Sequence, residues 1–204
     1  MGLIEDVPAG VSKGEHSSLR AQVESYLSQS SASLLEPSVR QKFPELLKAL
    51  CAMGLDDLLE KLNDKIMENL KNPAPLVRET TVKTMRVFEE ILSANRKEKP
   101  FLAIVSTLHK LAESESAPEV YVETAQALQV AAMELLVSWK FEESALLLGM
   151  LRRHSREESP IGQKKKQAAA KALHDFSVRG LDVISADLNS PLKDRETGSY
   201  RVLA

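Results

Sequence analysis

Over residues 72–92 the chain reads NPAPLVRETTVKTMRVFEEIL, and its apolar or small positions fall at Val77, Thr81, Met85, Phe88 and Leu92. Steps of four and three residues mark one stripe of a 3.6-residue helix. The pattern returns over residues 116–136 as SAPEVYVETAQALQVAAMELL. Setting Pro75 on Pro118, a step of 43 residues, puts Val77 on Val120, Thr81 on Thr124, Met85 on Leu128, Val87 on Val130 and Leu92 on Leu135. The stripe of the second copy is Val120, Thr124, Leu128, Ala131 and Leu135, with the same spacing. A period in the forties is the mark of a repeated helical unit.

Each copy opens with a proline where a helix tolerates one, in the first turn. Asn72 is placed to cap the first copy. Ser116 and Glu119 have the spacing of a capping box in the second. A further helical pattern precedes each copy: Leu55, Leu58, Leu59, Leu62, Ile66 and Leu70 before the first, and Phe101, Leu102, Ile104, Val105, Leu108 and Leu111 before the second. The unit is therefore helix, short turn, helix. One such pair cannot bury both apolar faces, so pairs are expected to stack.

These residues resemble a HEAT repeat, whose second helix follows an Asp or Pro turn and opens with Val-Arg. Val77-Arg78 matches, Pro73 takes the place of the usual proline, and Asn72 stands where Asp is usual. Pro37-Ser38-Val39-Arg40 gives the Pro-x-Val-Arg signature 38 residues before Pro75. The third copy departs, with Tyr121 where Arg is expected. The resemblance spans roughly residues 33–184. It implies an all-α fold, a right-handed α-solenoid of stacked HEAT-like helix pairs. An unrelated all-helical bundle is the alternative.

The rest of the chain fits around this core. Residues 1–17 read as a disordered leader, 18–188 as a single HEAT-like helical domain and 189–204 as a flexible tail. A short helix with Leu19, Val23, Tyr26 and Leu27 on one face is expected over 18–29. Pro44 should restart a helix, Gly54 should end one and Pro100 should stop one. Residues 141–154 predict a helix packed through Phe141, Ala145, Leu146, Met150 and Leu151. A loop over 155–163 follows, then a helix over 164–176 packed through Ala169, Ala172, Leu173 and Phe176. A last short helix is expected over 178–188.

Composition narrows the class. Aromatics are 4% of the chain, with Trp139 the one tryptophan, and glycines number eight, which suits helices. The formal net charge of −2 gives no bulk drive toward nucleic acid or acidic lipid. Cys51 is the only cysteine, so no internal disulfide forms. Its setting, Leu50-Cys51-Ala52-Met53, reads as a buried small hydrophobe. The start of the chain has no apolar core of a signal peptide, and Asp6 sits where a myristoylation motif wants Ser or Thr. No run is long enough for a membrane span.

Enzyme chemistry has little to stand on. His16, His109, His154 and His174 lie far apart, and none pairs with Cys or Glu at metal-ligand spacing. No Gly-rich phosphate loop and no G-x-S-x-G is present. Glu89-Glu90 and Glu142-Glu143 are adjacent pairs that point to different sides of a helix and read as solvated faces. No cofactor and no metal are expected.

One polar cluster has content: Arg152, Arg153, Arg156, Lys164, Lys165, Lys166 and Lys171, set against Glu157 and Glu158. Arg152-Arg153 and Lys164-Lys165-Lys166 have the spacing of a bipartite nuclear-import signal. Arg152-Arg153-His154-Ser155 resembles a basophilic-kinase site, with Ser155 as the candidate phosphosite. The third reading is a solubilising end to one helix and start to the next.

The expected function is a non-enzymatic scaffold or adaptor for a partner protein. The HEAT pattern places that partner on the face of the second helices and assigns Arg78, Lys83, Arg86, Glu123, Gln126 and Gln129 to it. Arg78 is expected to be structural first, pairing with an acidic or carbonyl group of a neighbouring helix. The alternative is nucleic-acid or acidic-surface binding through the basic patch, and an enzyme comes third. The cytoplasm is the expected location, with the nucleus as the alternative if the two basic clusters act as a signal.

Overall fold

The computed structural model of the chain describes residues 13–188 except 139 and 157. Among the described residues all regular structure is helical. The elements are α1 (Lys13–Ser28), a 3-10 turn (Ala32–Leu35), α2 (Pro37–Arg40), α3 (Phe43–Ala52), α4 (Asp56–Met67) with a 3-10 extension (Glu68–Lys71), α5 (Pro75–Ala94), α6 (Glu98–Ser114), α7 (Pro118–Val137), α8 (Phe141–Ser155) and α9 (Gln163–Leu188). Contacts between them gather into two compact units, the first through Leu128 and the second from Gln129, so the division falls inside α7.

Helix ends follow the local chemistry. Pro37, Pro44 and Pro75 each lie in the first turn of a helix, where the missing N–H is no loss. α3 closes through Gly54, at φ 68°, with Gly54 N–H donating to Cys51 O and Leu55 N–H to Leu50 O. This left-handed closure suits glycine because it has no Cβ to clash. α5 closes the same way with Arg96 at φ 56°. Lys97 N–H donates there to Leu92 O at 2.8 Å.

In the first unit, α5 packs against α3, α4 and α6, while α4 packs against α1, α3, α5 and α6. Each of these helices thus touches its chain neighbours and also the helix two places away. The core they enclose is largely leucine: Leu47, Leu50, Leu58, Leu59 and Leu62, with Ile66, Met85, Leu92, Ile104 and Leu108. An aromatic chain crosses it. Phe43 stands edge-on to Tyr26 of α1 at 6.3 Å and to Phe88 of α5 at 5.5 Å. Asn69 is buried and donates through Nδ2 to Ser31 O at 2.7 Å, which ties the two 3-10 segments together.

The 43-residue correspondence extends to fine detail. Met85 and Leu128 are both fully buried, as are Leu92 and Leu135. Thr81 and Thr124 are also buried, and each returns its hydroxyl to the carbonyl four residues back, Val77 O at 2.7 Å and Val120 O at 2.8 Å. A β-branched hydroxyl can sit in a core when its own helix satisfies it.

In the second unit α8 and α9 pack as a pair joined by residues 156–162. The buried residues of α8 are Ser144, Leu147, Met150, Leu151 and His154. Phe141, Ala145 and Leu146 are exposed, contrary to the expected stripe. Ser144 explains the rotation, because its hydroxyl donates to Ala132 O at 2.8 Å and is buried without loss. On α9, Ala169 and Ala172 are buried as expected, and Leu173 and Phe176 are half-buried.

Other expectations are corrected at helix ends. α1 starts at Lys13, inside the stretch expected to be a leader. Pro100 is buried in the first turn of α6 and stops nothing. The two helices expected over 164–176 and 178–188 are one, α9, which runs through Ser177. Glu89 is fully buried, four residues after Met85 on the core side of α5, while its neighbour Glu90 is exposed. The tail over 189–204 lies outside the described residues.

Candidate functional site

The turns that lead into α5 and α7 are built alike. Asn72 Oδ1 accepts from Ala74 N–H at 2.9 Å, just before Pro75. Glu115, 43 residues later, accepts through Oε1 from Ala117 N–H at 2.8 Å, just before Pro118. A side-chain oxygen thus holds the N–H two residues on, in each case fixing the entry to a proline-led helix. Asn72 and Glu115 stabilise the turns; the expected caps at Asn72 and Ser116 lie outside the cap position, since α5 and α7 begin at the prolines.

Arg78 joins the two turns. Its Nε and Nη2 donate to Glu115 Oε2 and Oε1, both at 2.8 Å. Its Nη1 donates to Asn72 O at 2.8 Å and Pro73 O at 2.9 Å. The planar fork meets a carboxylate on one edge and two carbonyls on the other, an arrangement that lysine cannot copy. The expected acidic partner from a neighbouring helix is Glu115, at the C-terminal cap of α6, while the two carbonyls belong to the turn before α5 itself. The step is not repeated: the next equivalent position is Tyr121, fully buried, its hydroxyl pushed well above the usual phenol range by desolvation and then by Glu113.

The hydrogen bond from Arg78, helped by the N–H groups of Ala117 and Ser116, holds the Glu115 carboxyl below the usual carboxylate range against the opposing effect of burial. A carboxylate with a depressed folded pKa stabilises the fold above its unfolded pKa. That stabilisation is lost as pH falls through the folded value. The thermal midpoint of the native chain is therefore expected to exceed that of Glu115→Gln at neutral pH. The gap should narrow once pH drops below about 4.3. A gap that stays constant from neutral to acid pH would contradict this.

Farther along, α5 and the start of α7 share a charge-matched row. Lys83 Nζ lies 2.6 Å from Glu79 Oε1 and 3.5 Å from Glu123 Oε1. Arg86 Nη1 donates to Gln126 Oε1 at 3.3 Å and lies 3.9 Å from Glu123 Oε2. Hydrogen bonding to Glu79, with Glu123 nearby, raises the Lys83 pKa. Lys83 is exposed, and Arg86, Glu123 and Gln126 are partly so. Exposed pairs of this kind add about 0–1 kcal/mol each. Gln129 does not belong to the row. It is 5% exposed, because Tyr121, Ala125, Gln129 and Met133 form a buried stripe of α7.

Beside the row lies a groove that sequence reasoning missed, lined by Pro37, Arg40, Gln41, Phe43, Pro44, Lys83, Thr84 and Val87. It forms where α2 ends after one turn and Pro44 restarts the chain as α3. Arg40 is the counterpart of Arg78 in the Pro-x-Val-Arg signature. Its Nε is buried with no hydrogen-bond partner among the described residues. A buried unpaired donor on a cation costs about 1–3 kcal/mol. The signal in the sequence was the break at Pro44, which separates Arg40 from a continuous helix.

The basic patch belongs to the second unit. Arg152, Arg153, Arg156, Lys164 and Lys171 are exposed, and Lys165 and Lys166 are half-buried. Arg153 and Arg156 line an open recess with Glu158 and Ser159. Arg152 and Arg153 are in α8, and Lys164, Lys165 and Lys166 are in the first turn of α9, so both basic clusters are helical. Ser155 ends α8, half-buried, and donates from Oγ to Arg152 O at 2.9 Å. The exposed loop residues are Arg156, Glu158, Pro160 and Gly162.

Among the described residues no group of three or more His, Cys, Asp or Glu is arranged to hold a metal ion, and no helix is long and apolar enough to cross a membrane. Cys51 is buried, and desolvation pushes its thiol pKa up, which keeps it protonated. Compared with known proteins, the chain matches no family model, no curated protein and no solved structure.

Proposed function

We propose that the chain is a non-enzymatic interaction scaffold, a right-handed α-solenoid of stacked HEAT-like helix pairs that binds a partner protein on the face of its second helices. Packing order in the first unit supports the pairs: α4 meets α6 and α3 meets α5, as first and second helices of neighbouring pairs do. Arg78 then plays the part of the inter-repeat tie, with Glu115 as its acid.

The observation that carries partner binding is the Arg40 groove. Pro37, Pro44 and Val87 offer apolar surface, and Arg40 and Lys83 offer cationic donors beside it. The buried Nε of Arg40 lacks an acceptor among the described residues. An apolar side chain next to a carboxylate or free carbonyl on the partner would fill the groove and supply that acceptor. The row of Lys83, Arg86, Glu123 and Gln126 would set orientation at the rim.

The second reading rests on a separate observation, the exposed Arg152, Arg153, Arg156 and Lys164 around the 156–162 loop. Nucleic acid would bind there through phosphate contacts. One experiment separates the two. Proteins and nucleic acids captured from lysate by the native chain are compared with those captured by Arg40→Glu/Lys83→Glu and by Arg152→Glu/Arg153→Glu/Lys164→Glu. Loss of a protein partner with the first variant alone is the expected result. Capture unchanged by that variant would refute groove binding. Loss of nucleic acid with the second variant, steep in salt, would favour the alternative.

A further inference from the structure

The outward face of α8 is apolar in the middle and oppositely charged at its ends. Glu142, Leu146, Gly149 and Arg153 follow one another at steps of four, three and four residues, so they share one stripe of the helix. All four are exposed, Leu146 at 67%. Ala145 and Arg152 flank the stripe and are exposed as well. The buried face of the helix, Ser144, Leu147, Met150, Leu151 and His154, lies opposite.

We propose that this stripe is a self-association surface, taken by α8 of a second copy of the chain running antiparallel. The sequence of the stripe is its own complement. Glu142 lies four residues before Leu146, and Arg153 lies four residues after Gly149. A two-fold axis between Leu146 and Gly149 therefore sets Leu146 of each copy against Gly149 of the other. The same axis sets Glu142 against Arg153 at both ends. The axis falls near the middle of α8, so nearly the whole helix overlaps its mate. Two-fold contacts of this isologous kind are the commonest route to homodimers.

Three features favour a second copy over an unrelated partner. The charges of the stripe pair with themselves under the two-fold operation. Beyond its own helix backbone, a Cβ at Gly149 would meet no atom of the described residues within 4 Å, so no packing among them asks for glycine in the middle of this helix. Glycine disfavours a helix, yet it leaves a notch that a leucine from another helix can fill. Leu146, an exposed leucine, is the matching knob on the same face. One helix face buries less than the ~1,600 Å² of a standard interface, so association is weak, with dissociation in the micromolar range or above. The stripe belongs to the second unit and the groove around Arg40 to the first.

Sedimentation equilibrium of the full chain tests this over about 1 to about 500 µM, the span in which a weak dimer forms. The apparent mass is expected to climb toward twice that of the monomer. Leu146→Glu should leave a monomer at every concentration. Gly149→Gln fills the notch with a better helix former, and should hold or raise the thermal midpoint while removing the dimer. Glu142→Arg and Arg153→Glu should each weaken association at least about tenfold, and the double exchange should restore it to within about threefold. A chain that stays monomeric throughout, or association that survives both Leu146→Glu and Gly149→Gln, would overturn the proposal. Failure of the double exchange to recover what either single change loses would overturn the antiparallel register.

Discussion

Replacing Phe43 with alanine is expected to cost about 3–5 kcal/mol, the range for an aromatic side chain removed from a core. Phe43 is 1% exposed and stands between two other rings, Tyr26 at 6.3 Å and Phe88 at 5.5 Å, both edge-on. These rings come from α1, α3 and α5, so the loss touches three helices together. Each edge-to-face pair adds about 0.5–1.5 kcal/mol beyond the area it buries. The void cannot close easily, because Pro44 fixes the start of α3 at the next residue. Urea denaturation should show a midpoint far below that of the native chain. Leu76→Ala, at an exposed position, is the comparison and should hardly move it. Equal midpoints for the two variants would show that the aromatic chain does not hold the first unit together.

Arg78→Ala is expected to cost about 2–4 kcal/mol, more than an exposed ion pair and close to the loss of one partner from a buried pair. Side-chain exposure is 13% for Arg78 and 3% for Glu115. Truncation takes both guanidinium hydrogen bonds from the carboxylate and frees two carbonyls of the turn before α5. Arg78→Lys should recover little, since one ammonium cannot reach both edges of the site. Glu115→Gln in the Arg78→Ala background should be nearly free of further cost, because the charge that had lost its partner is gone. A full additional loss in the double variant would mean that the two residues act separately.

The helical class and its 43-residue period were legible because burial repeats with the period. Thr81 and Thr124, Met85 and Leu128, and Leu92 and Leu135 hold matching places. Arg78 was legible as a tie because it stands second in the Val77-Arg78 pair on which the HEAT resemblance rests. Glu115 was not, since an acid in a turn looks like any solvated acid until the fork of Arg78 is set against it. Hydrophobicity misplaced the packed side of α8 because Ser144 and His154 are buried in place of Phe141 and Leu146. A hydroxyl satisfied by a carbonyl costs little to bury, and residue type alone does not reveal that. Gln129 failed for the same reason in reverse: it sits on a stripe of α7 too apolar on all sides to leave it in water. The groove at Arg40 needed three dimensions, because its walls come from α2, α3 and α5.

The buried thiol of Cys51 gives the molecule a built-in clock. It is the sole cysteine in the sequence, it is buried, and burial raises its pKa, so the closed fold slows its reaction with a thiol reagent. Modification must wait for α3 to part from its surroundings. The labelling rate then reports how often that segment breathes, residue by residue silent everywhere else. A ligand seated against Pro44, on the same helix, would slow the clock without any engineered reporter.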